Sequence, residues 1–386
     1  MSKFTDLGVN EALDAALAKQ GISEPTPIQQ QALPQILAGT DVLAQAPTGT
    51  GKTLAYLLPI LQRIDAALPQ AQAVVLAPTY ELAMQIAGVA RDLAQAAGLA
   101  VRVQGLIGGA SLARQIEGLK KKPQLVVGSA GRIAELARMH KLKLTAVRCL
   151  VLDECDRLLD DQNAATTAEV GELLGRAQSQ PVQYLLFSAT MTKKARERAG
   201  FLQAPAEITI EASNAELGAR ANLYQLVPFR GKIERIRHLA RRLQVKRGLV
   251  FINRTFDAER TLAKLRYDGL MVDSLLSTRG KQARQQAIAR FKAGKTQLLL
   301  STDLAARGLD IPEVEYVFNL DLPESAQVYL HRAGRTARAG KQGTVITLAD
   351  IKEAYKLEQL EHKLGITLKR LSSGPSAKHP RKKRHK

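Results

Sequence analysis

The sequence predicts an α/β fold of two tandem domains, each a mainly parallel sheet flanked by helices. The chain has 386 residues, and at about 100–200 residues per domain that length accommodates two domains. Short apolar runs rich in Val, Leu and Ile alternate with longer segments of helical periodicity. Continuously apolar strands are typical of a parallel sheet that is buried on both faces. The alternation restarts in the second half of the chain, after a segment without an apolar period.

The predicted strands fall into two sets with helical segments, such as residues 81–97, between them. The first set comprises residues 42–44, 74–77, 125–128, 150–152 and 184–187. The second set comprises residues 249–252, 298–301, 316–318 and 344–347. Strands that alternate with helices indicate right-handed crossover connections. We therefore predict a first domain at residues 1–210, a linker at 211–221, a second domain at 222–370 and a tail at 371–386.

The charge of the chain indicates a polyanionic partner. Lys and Arg total 56 against 36 Asp and Glu, which gives a formal net charge of +20. Cations that neutralise phosphates release counterions, so nucleic acid is the first candidate. An anionic membrane surface is the alternative, but no basic amphipathic helix stands out. Residues 378–386 hold six Lys or Arg, and we expect a disordered tail that contacts phosphates or only aids solubility.

Several features predict a soluble cytoplasmic protein. The chain contains two cysteines, which is typical of a reducing compartment. Its first residues lack the apolar core of a signal peptide. The longest strongly apolar stretch, residues 54–61, contains a proline and is too short to span a bilayer. We therefore expect no membrane association.

Residues 46–53, Ala-Pro-Thr-Gly-Thr-Gly-Lys-Thr, predict a phosphate-binding loop. They follow a predicted strand and open a helical segment, which is the context that such a loop needs. Glycines let backbone N–H groups close around phosphate oxygens, and the helix N-terminus adds a favourable dipole. Lys52 can reach the β- and γ-phosphates of ATP, and Thr53 can hold Mg²⁺. One departure is Ala46, which replaces the first glycine of the general pattern. The predicted ATP-binding residues here are Ala46, Pro47, Thr48, Gly49, Thr50, Gly51, Lys52 and Thr53.

Residues 150–156, Leu-Val-Leu-Asp-Glu-Cys-Asp, form an apolar strand that ends in carboxylates. An enzyme with a phosphate loop keeps its metal ligand and its water activator at such a place. Asp153 would hold Mg²⁺, and Glu154 would orient or deprotonate the attacking water. The acidic strand end is a weak signal alone and becomes strong when paired with the loop about a hundred residues upstream. Cys155 is interpreted as a small packing residue.

The segment Asp-Glu-Cys-Asp at residues 153–156 resembles the DECD variant of the DEAD-box family of RNA helicases. Other motifs follow in the family's order from Phe4 to about Gly340. The resemblance implies two tandem RecA-like P-loop domains and ATP hydrolysis coupled to local unwinding of short RNA duplexes or to remodelling of RNA–protein complexes. It implies ATP and Mg²⁺ as cofactors, single-stranded or short duplex RNA as partner, and a monomer. Ribonucleoprotein or ribosome-assembly partners are compatible with it.

Further motifs of the family would complete the nucleotide site. Residues 21–29 resemble the adenine-reading Q motif, in which Gln29 offers a donor and an acceptor to the base. Phe4 would stack on the adenine, and an ordinary core anchor is the alternative for this residue. The hydroxyls of Ser188 and Thr190 match the coupling motif and could bond the acidic segment, including Asp156. Residues 301–310 are similar to motif V, which implies a nucleotide contact for Asp310.

Residues 329–340 look like motif VI and contain three arginines at a spacing of three. This spacing predicts that their guanidinium groups share one face of a helical turn. By resemblance, Arg335 and Arg338 reach the γ-phosphate as arginine fingers, which can accelerate phosphoryl transfer ~10³–10⁵-fold. His331 and Arg332 would couple motif VI to the acidic segment. A basic helix that contacts solvent or nucleic acid is the alternative.

Departures from the family pattern cluster on the RNA side. They are Tyr80, Ser129, Ala130, Leu276, Ser277 and Lys281. The RNA-binding residues that the resemblance still implies are Pro78, Thr79, Gly108, Gly109, Gly131, Arg132, Arg284 and Thr302. We hypothesise that the core's RNA contacts have weakened or shifted and that the basic tail compensates. Neutral drift, at positions where backbone groups make most contacts, is the alternative.

Two other functions remain open from the sequence alone. An ATP-gated RNA clamp with little unwinding would fit the altered RNA motifs, although the complete set of Lys52, Glu154, Arg335 and Arg338 favours hydrolysis. A DNA translocase could also use paired RecA-like domains, but the Q motif and the Ser-Ala-Thr triplet argue against it.

Overall fold

The computed structural model describes residues 3–178, 180–211, 220–254, 257–267, 269–276, 280–306, 311, 314–337 and 342–371, with only the backbone given at 281, 304, 306 and 327. The chain divides into two compact units near residue 213. We call them unit 1 and unit 2. The predicted linker lies largely outside the described residues, and the predicted tail lies outside them from residue 372 onward.

Unit 1 is built on a seven-stranded sheet in which every paired strand is parallel to its neighbour. Its strands are β1 Val42–Gln45, β2 Ala73–Leu76, β3 Val103–Leu106, β4 Leu125–Gly128, β5 Cys149–Asp153, β6 Gln183–Ser188 and β7 Ala206–Thr209, in the order β3-β4-β2-β5-β6-β1-β7. Its helices are α1 Glu11–Lys19, α2 Pro27–Leu37, α3 Lys52–Arg63, α4 Tyr80–Ala96, α5 Leu112–Leu119, α6 Ala130–Arg138, α7 Cys155–Leu158, α8 Ala164–Ala177 and α9 Lys193–Arg198.

Helices cover both faces of this sheet, because alternate residues of each strand point to opposite sides. Val42 and Ala44 of β1 belong to a buried cluster that includes residues of α1, α2, α3 and α4. Leu43 belongs to a second buried cluster, which includes residues of α6, α7, α8 and α9. The sheet is therefore buried on both sides. Its carboxyl edge, where the strands end together, remains as the place for loops and ligands.

Unit 2 repeats this architecture with a second seven-stranded parallel sheet. Its strands are β8 Arg220–Leu226, β9 Gly248–Phe251, β10 Val272–Ser274, β11 Leu298–Ser301, β12 Tyr316–Asn319, β13 Gly343–Ala349 and β14 Lys369–Arg370, in the order β10-β11-β9-β12-β13-β8-β14. Its helices are α10 Lys232–Arg242, α11 Ala258–Arg266, α12 Gly280–Lys292, α13 Asp303–Ala306, α14 Ala326–Ala333 and α15 Ala354–Leu364.

The predicted fold class is confirmed, and each of the nine predicted strands overlaps an observed one. The sequence missed β3, β7, β8, β10 and β14. β3, β7, β10 and β14 lie at the edges of the two sheets and β8 lies beside β14. All of them except β10 are partly exposed, and β10 has three residues, so none shows the long apolar run of a central strand. β8 begins at Arg220, inside the predicted linker. Among the described residues, no helix is long and apolar enough to cross a membrane.

The close packing of β3 against β4 gives a testable prediction for Gly128. A Cβ atom at this residue would overlap the backbone carbonyl of Leu106, which cannot move without shifting β3. We expect Gly128→Ala to lower the free energy of unfolding of unit 1 by ~1–3 kcal/mol. Urea unfolding, followed by hydrogen exchange of β3 and β4, measures the change.

Gly171→Ala in α8 is the matched control. No atom lies within 4 Å of a Cβ atom built at Gly171. Because alanine is the better helix former, this change should stabilise unit 1 by roughly 0.5–1 kcal/mol. Wild-type stability in Gly128→Ala would show that the described contact between β3 and β4 is wrong.

Candidate active site

The predicted phosphate loop lies at the carboxyl edge of the sheet of unit 1, between β1 and α3. Gly49 and Gly51 have φ angles of 86° and 89°, in the left-handed region where glycine is strongly favoured. Ala46 continues β1, and its N–H donates to the carbonyl of Ser188 at 3.0 Å. Since Ala46 lies outside the left-handed region, its Cβ is tolerated. The loop therefore does not need a glycine at its first position.

Lys52 is the first residue of α3 and is held by the loop itself. Its Nζ donates to the carbonyls of Ala46 at 2.6 Å and Pro47 at 2.8 Å. Burial lowers the pKa of Lys52 to about 8, although Asp153 and Glu154 attract the charged form. Loop carbonyls are weak partners for a buried ammonium group, and a bound phosphate would favour the charged form more strongly.

Gln29 of the predicted Q motif connects the start of α2 to the phosphate loop. Its Oε1 accepts from the N–H of Thr26 at 2.8 Å, and its Nε2 donates to the carbonyl of Gly51 at 3.1 Å. A Cβ atom at Gly51 would collide with this amide. The side chain of Gln29 is fully buried. Its two hydrogen bonds therefore connect the phosphate loop to the start of α2.

Phe4 does not lie where a stacking role would require. Its side chain is fully buried in the cluster that includes Leu13, Leu17 and Ile28. Stacking on adenine needs one open face of the ring, and burial leaves none. The structure therefore favours the core anchor over the expected base contact.

Two of the predicted acidic residues are held at the end of β5. Tyr56 of α3 donates its hydroxyl to Oδ2 of Asp153 at 2.8 Å, and the N–H of Glu154 donates to Oδ1 at 2.9 Å. Glu154 has φ 51° and ψ 50°, a left-handed conformation that is unusual for a residue with a side chain. Such a conformation costs ~1–3 kcal/mol and is common at functional sites. The geometry orients Asp153 and aims Glu154 away from the line of the strand.

The Ser-Ala-Thr triplet bonds the same acidic segment. Ser188 donates its hydroxyl to Oδ1 of Asp156 at 2.6 Å, and Thr190 donates to Oδ2 at 2.7 Å. Ser188 is the last residue of β6, the strand between β1 and β5. The structure thus brings these predicted coupling residues together, and their role in coupling stays a prediction.

Both cysteines are packing residues. Cys155 belongs to one buried cluster of unit 1 and Cys149 to the other. Burial raises the pKa of Cys149 to about 12 and that of Cys155 well above its usual value. The thiols therefore stay protonated and unreactive at neutral pH.

Residues with oxygen ligands suited to Mg²⁺ lie at the phosphate loop and at the end of β5. Tyr56, whose hydroxyl bonds Asp153, follows Thr53 by three residues on α3. Thr53 therefore lies on the same side of α3 as the residue that bonds Asp153. Carboxylate and hydroxyl oxygens are the ligand types that Mg²⁺ prefers, together with phosphate and water. The residues fit the ion that the sequence predicts here. Sequence reasoning missed Tyr56, although its position one helical turn after Lys52 was a usable signal.

Arg332 of unit 2 is held by acceptors of its own unit. It is fully buried, and its guanidinium forms a two-pronged ion pair with Asp303, with both N···O distances at 2.7 Å. It also donates to Oδ1 of Asn253 at 2.8 Å and to the carbonyl of Asp321 at 2.9 Å. A buried guanidinium needs several acceptors, and unit 2 itself supplies them. The guanidinium is thus bonded within unit 2, and the role of Arg332 in coupling to the acidic segment stays a prediction.

Arg332 and Arg335 of motif VI do not lie on one helix. α14 ends at Ala333, and Gly334 caps it. Arg335 therefore lies in the turn after the helix, where its N–H donates to the carbonyl of Arg332 at 3.1 Å. His331 lies in the last turn of α14. Arg338 and Asp310 lie outside the described residues.

The predicted RNA-binding residues of unit 1 follow strand ends. Gly108 and Gly109 form an exposed turn, and no atom lies within 4 Å of a Cβ atom built on either. Thr79 follows β2 and Pro78, and its hydroxyl caps α4 by accepting from the N–H of Leu82 at 3.2 Å. Arg132 is 11% exposed and is paired with Glu135 at 2.8 Å. The backbone of the two glycines is therefore exposed to solvent, whereas the side chain of Arg132 is engaged in an ion pair.

The other RNA-side positions differ in their surroundings. Gly131 is exposed near the start of α6, Ala130 is buried and Ser129 is the N-cap residue. Tyr80 packs partly against the core. In unit 2, Leu276 is fully buried among apolar residues. Thr302 caps α13 by accepting from the N–H of Ala305 at 3.3 Å, and Arg284 lies half-buried on α12. Ser277 and the side chain of Lys281 lie outside the description.

Fold and site together define a P-loop ATPase of two RecA-like units. Comparison with known proteins specifies it further. The DEAD/DEAH box helicase family matches residues 26–198, and the helicase conserved C-terminal domain matches residues 231–340. The DEAD-box ATP-dependent RNA helicase CshC of Bacillus cereus is 41% identical over 92% of this chain and 89% of its own length. The chain therefore belongs to the DEAD-box family of ATP-dependent RNA helicases, and its predicted activity, ATP hydrolysis by an RNA helicase, is confirmed.

Two further similarities are informative. The ATP-dependent rRNA helicase rrp3 of Aspergillus terreus is 35% identical over 94% of this chain and 80% of its own length. The solved structure of S. cerevisiae Dbp5 bound to RNA and ADP BeF3 superposes with a TM-score of 0.84 at 28% identity, and covers 96% of each chain.

The Tyr56–Asp153 hydrogen bond gives a testable prediction. Tyr56→Phe removes the donor and keeps the packed ring, so Asp153 loses its orientation but the core stays filled. Groups that orient a metal ligand typically contribute 10–100-fold in metal affinity. We expect the gain in ADP affinity that Mg²⁺ provides over EDTA to fall by about tenfold, with the affinity in EDTA unchanged. Calorimetric titration in the two buffers measures both.

Tyr184→Phe is the control, because Tyr184 lies at the other end of β6 and packs against Phe201. It should leave both affinities unchanged. Equal loss of ADP affinity in Mg²⁺ and in EDTA for Tyr56→Phe would indicate a general packing defect and contradict the prediction.

Proposed function

We propose that ATP hydrolysis occurs at the carboxyl edge of unit 1, with residues 46–53 around the phosphates and Lys52 on the β- and γ-phosphates. The observation that carries this proposal is the hydrogen bond from Tyr56 to Asp153. It fixes the helix that begins with Lys52 against the strand that ends in the carboxylates. Phosphate-binding and water-activating groups therefore share one rigid frame, which positions reacting groups before substrate arrives.

Glu154 orients or deprotonates the water that attacks the γ-phosphate. Its left-handed backbone supports this role, because it turns the carboxylate out of the strand. Asp153 and Thr53 would hold Mg²⁺, which would neutralise charge on the phosphate oxygens. Lys52 exchanges the carbonyls of Ala46 and Pro47 for phosphate oxygens, which favour its charged form.

Gln29 reads the adenine and reports its presence to the phosphate loop. The contact of its amide with the carbonyl of Gly51 supports this role. An adenine base that hydrogen-bonds to the same amide would compete with the bond from Gln29 to the carbonyl of Gly51. Asp310 of motif V contacts the nucleotide, as the resemblance to the family implies.

Coupling to RNA runs through Asp156 and the hydroxyls of Ser188 and Thr190. Their two hydrogen bonds support the proposal, since a shift of the acidic segment must move the triplet at the end of β6. Arg335 and Arg338 stabilise the γ-phosphate during transfer, and His331 couples motif VI to the acidic segment. The anchoring of Arg332 supports a fixed position for Arg335, three residues further along the chain.

RNA contacts involve the exposed strand ends of both units, and backbone groups of Gly108 and Gly109 are the first of them. The exposure of this turn supports its access to phosphates. The remaining proposed contacts are Pro78, Thr79, Gly131, Arg132, Arg284 and Thr302. The substrate is single-stranded or short duplex RNA, which the enzyme separates locally.

The two units correspond to two functional domains. The first comprises residues 1–210, and the second extends to residue 370 and begins at residue 220, where β8 starts. A linker joins them, and the basic tail at 371–386 adds phosphate contacts. The chain is a DECD variant in which Cys155 fills the core. The protein is a cytoplasmic monomer. It acts on ribonucleoprotein or ribosome-assembly substrates. The likeness to an rRNA helicase supports the last assignment.

The decisive test compares wild type with Glu154→Gln in steady-state ATP hydrolysis, with and without single-stranded RNA. General base groups contribute about 10²–10⁴-fold, so the RNA-stimulated rate should fall at least a hundredfold in the variant while ATP still binds. Glu172→Gln, an exposed substitution on α8, is the control and should hydrolyse ATP like wild type.

Two outcomes would change the proposal. A wild-type rate that is indifferent to RNA would show that the altered RNA-side residues have uncoupled the two sites. RNA-stimulated hydrolysis without strand separation of a short duplex would favour an ATP-gated RNA clamp over a helicase that unwinds.

A further inference from the structure

α10 and the residues beside it carry an unusual density of positive charge. Residues 230–247 include eight Lys or Arg and one acidic residue, Glu234. The helix buries Ile236, Leu239 and Ala240 in the core of unit 2. Because one face is used for packing, most of the charge lies on the outer face. None of these residues belongs to a motif that the nucleotide or RNA sites use.

A shallow groove of about 460 Å³ runs between this outer face of α10 and the neighbouring helix α11. Of the described residues that line it, Arg230, Arg237 and Lys264 are cationic and Glu234 is acidic. The groove is therefore positively charged. α10 has 11 residues, so at 1.5 Å per residue it extends for about 16 Å, long enough to follow several backbone phosphates.

An aromatic ring completes the groove. Tyr267, which follows α11, is 81% exposed, a large solvent-facing area for an aromatic side chain. The guanidinium of Arg237 lies 5.8 Å from the centre of this ring and donates to the carbonyl of Lys264 at 3.3 Å. Nucleic-acid bases stack on an open ring face, and their phosphates bind to cations beside it.

We propose that the groove between α10 and α11 is an additional binding surface for single-stranded RNA, with a base on Tyr267 and phosphates on Arg230, Arg237 and Lys264. The inference deepens the proposed function, because it rests on RNA being the substrate. An acidic peptide would also satisfy the charges, but the exposed ring between cations favours a polymer of bases and phosphates. The groove lies on two helices, apart from the loops that follow the strands, so it extends RNA binding beyond the motif residues.

The first experiment measures how salt weakens RNA binding. A labelled single-stranded oligouridine longer than ~16 nucleotides is titrated with the full chain, without nucleotide, at several salt concentrations. Each phosphate contact to a single strand contributes ~0.7 to the magnitude of the slope of log affinity against log salt. Loss of three contacts in Arg230→Gln/Arg237→Gln/Lys264→Gln should therefore reduce that magnitude by about 2. Between 50 and 200 mM salt, wild type should then lose about twentyfold more affinity than the variant.

The matched control removes the same charge from another surface of unit 2. Lys352, Lys356 and Lys363 are exposed on or beside α15. Lys352→Gln/Lys356→Gln/Lys363→Gln should keep the wild-type slope. Each variant is also tested in a chain that ends at Leu371, which separates the groove from the basic tail. Equal slopes for the two triple variants would reduce the effect to net charge and overturn the proposal.

The second experiment tests the ring. Tyr267→Ala should weaken oligouridine binding about tenfold, because stacking on one aromatic side chain contributes on that scale. Tyr267→Phe should bind within about twofold of wild type, since it keeps the ring. Wild-type affinity in Tyr267→Ala would overturn the base contact.

The readouts distinguish failure of the groove from failure of the proposed function. If the groove contributes to RNA affinity and not to catalysis, the groove triple variant needs more RNA for half-maximal ATPase. It still reaches the wild-type rate at saturating RNA. If wild type shows no RNA-stimulated ATPase, the proposed function fails, whereas the salt slopes still report on the groove. A groove variant that loses binding to poly-glutamate but keeps RNA binding would identify an acidic protein partner and overturn the RNA assignment.

Discussion

The site of unit 1 depends on the hydrogen bond between Tyr56 and Asp153. Both groups are buried, and a buried carboxylate without a donor would be costly. The bond therefore constrains how α3 can pack on the sheet. Tyr56 lies one helical turn after Lys52, so the same bond fixes the direction from which Lys52 approaches the loop. Core packing, more than the loop sequence, sets the distance between the phosphate-binding lysine and the carboxylates.

Unit 2 also contains a buried charged group that needs hydrogen-bond partners, in this case a cation. Arg332 is a buried cation whose donors are taken up by Asp303, Asn253 and the carbonyl of Asp321. These acceptors come from the segments after β9, β11 and β12, which end together at the carboxyl edge of the sheet. One guanidinium thus joins three strand ends that would otherwise be independent loops. Its position fixes the start of the turn that carries Arg335, the residue proposed to contact the γ-phosphate.

The sequence predicted the central strands and the loops after them, because buried parallel strands leave long apolar runs and place their carboxyl ends together. It missed edge strands such as β7 and β14, whose exposed residues lack that signal. The side-chain roles of Phe4 and Arg332 were harder to predict, since spacing shows which residues are near in the chain and not which acceptors or core residues surround them. Tyr56 shows that sequence spacing does not reveal contacts between distant residues, because its partner Asp153 is 97 residues away.

The departures on the RNA side make physical sense once burial is known. Gly108 and Gly109 present backbone in an exposed turn, and backbone contacts survive changes in neighbouring side chains. Leu276 is buried, so its side chain packs in the core at a position where the resemblance implies a polar residue. Under the hypothesis of weakened core RNA contacts, cations elsewhere would hold the polyanion. The positive groove of α10 and α11 supplies them on rigid helices, where they cannot disturb the hydrogen bonds that fix the nucleotide site.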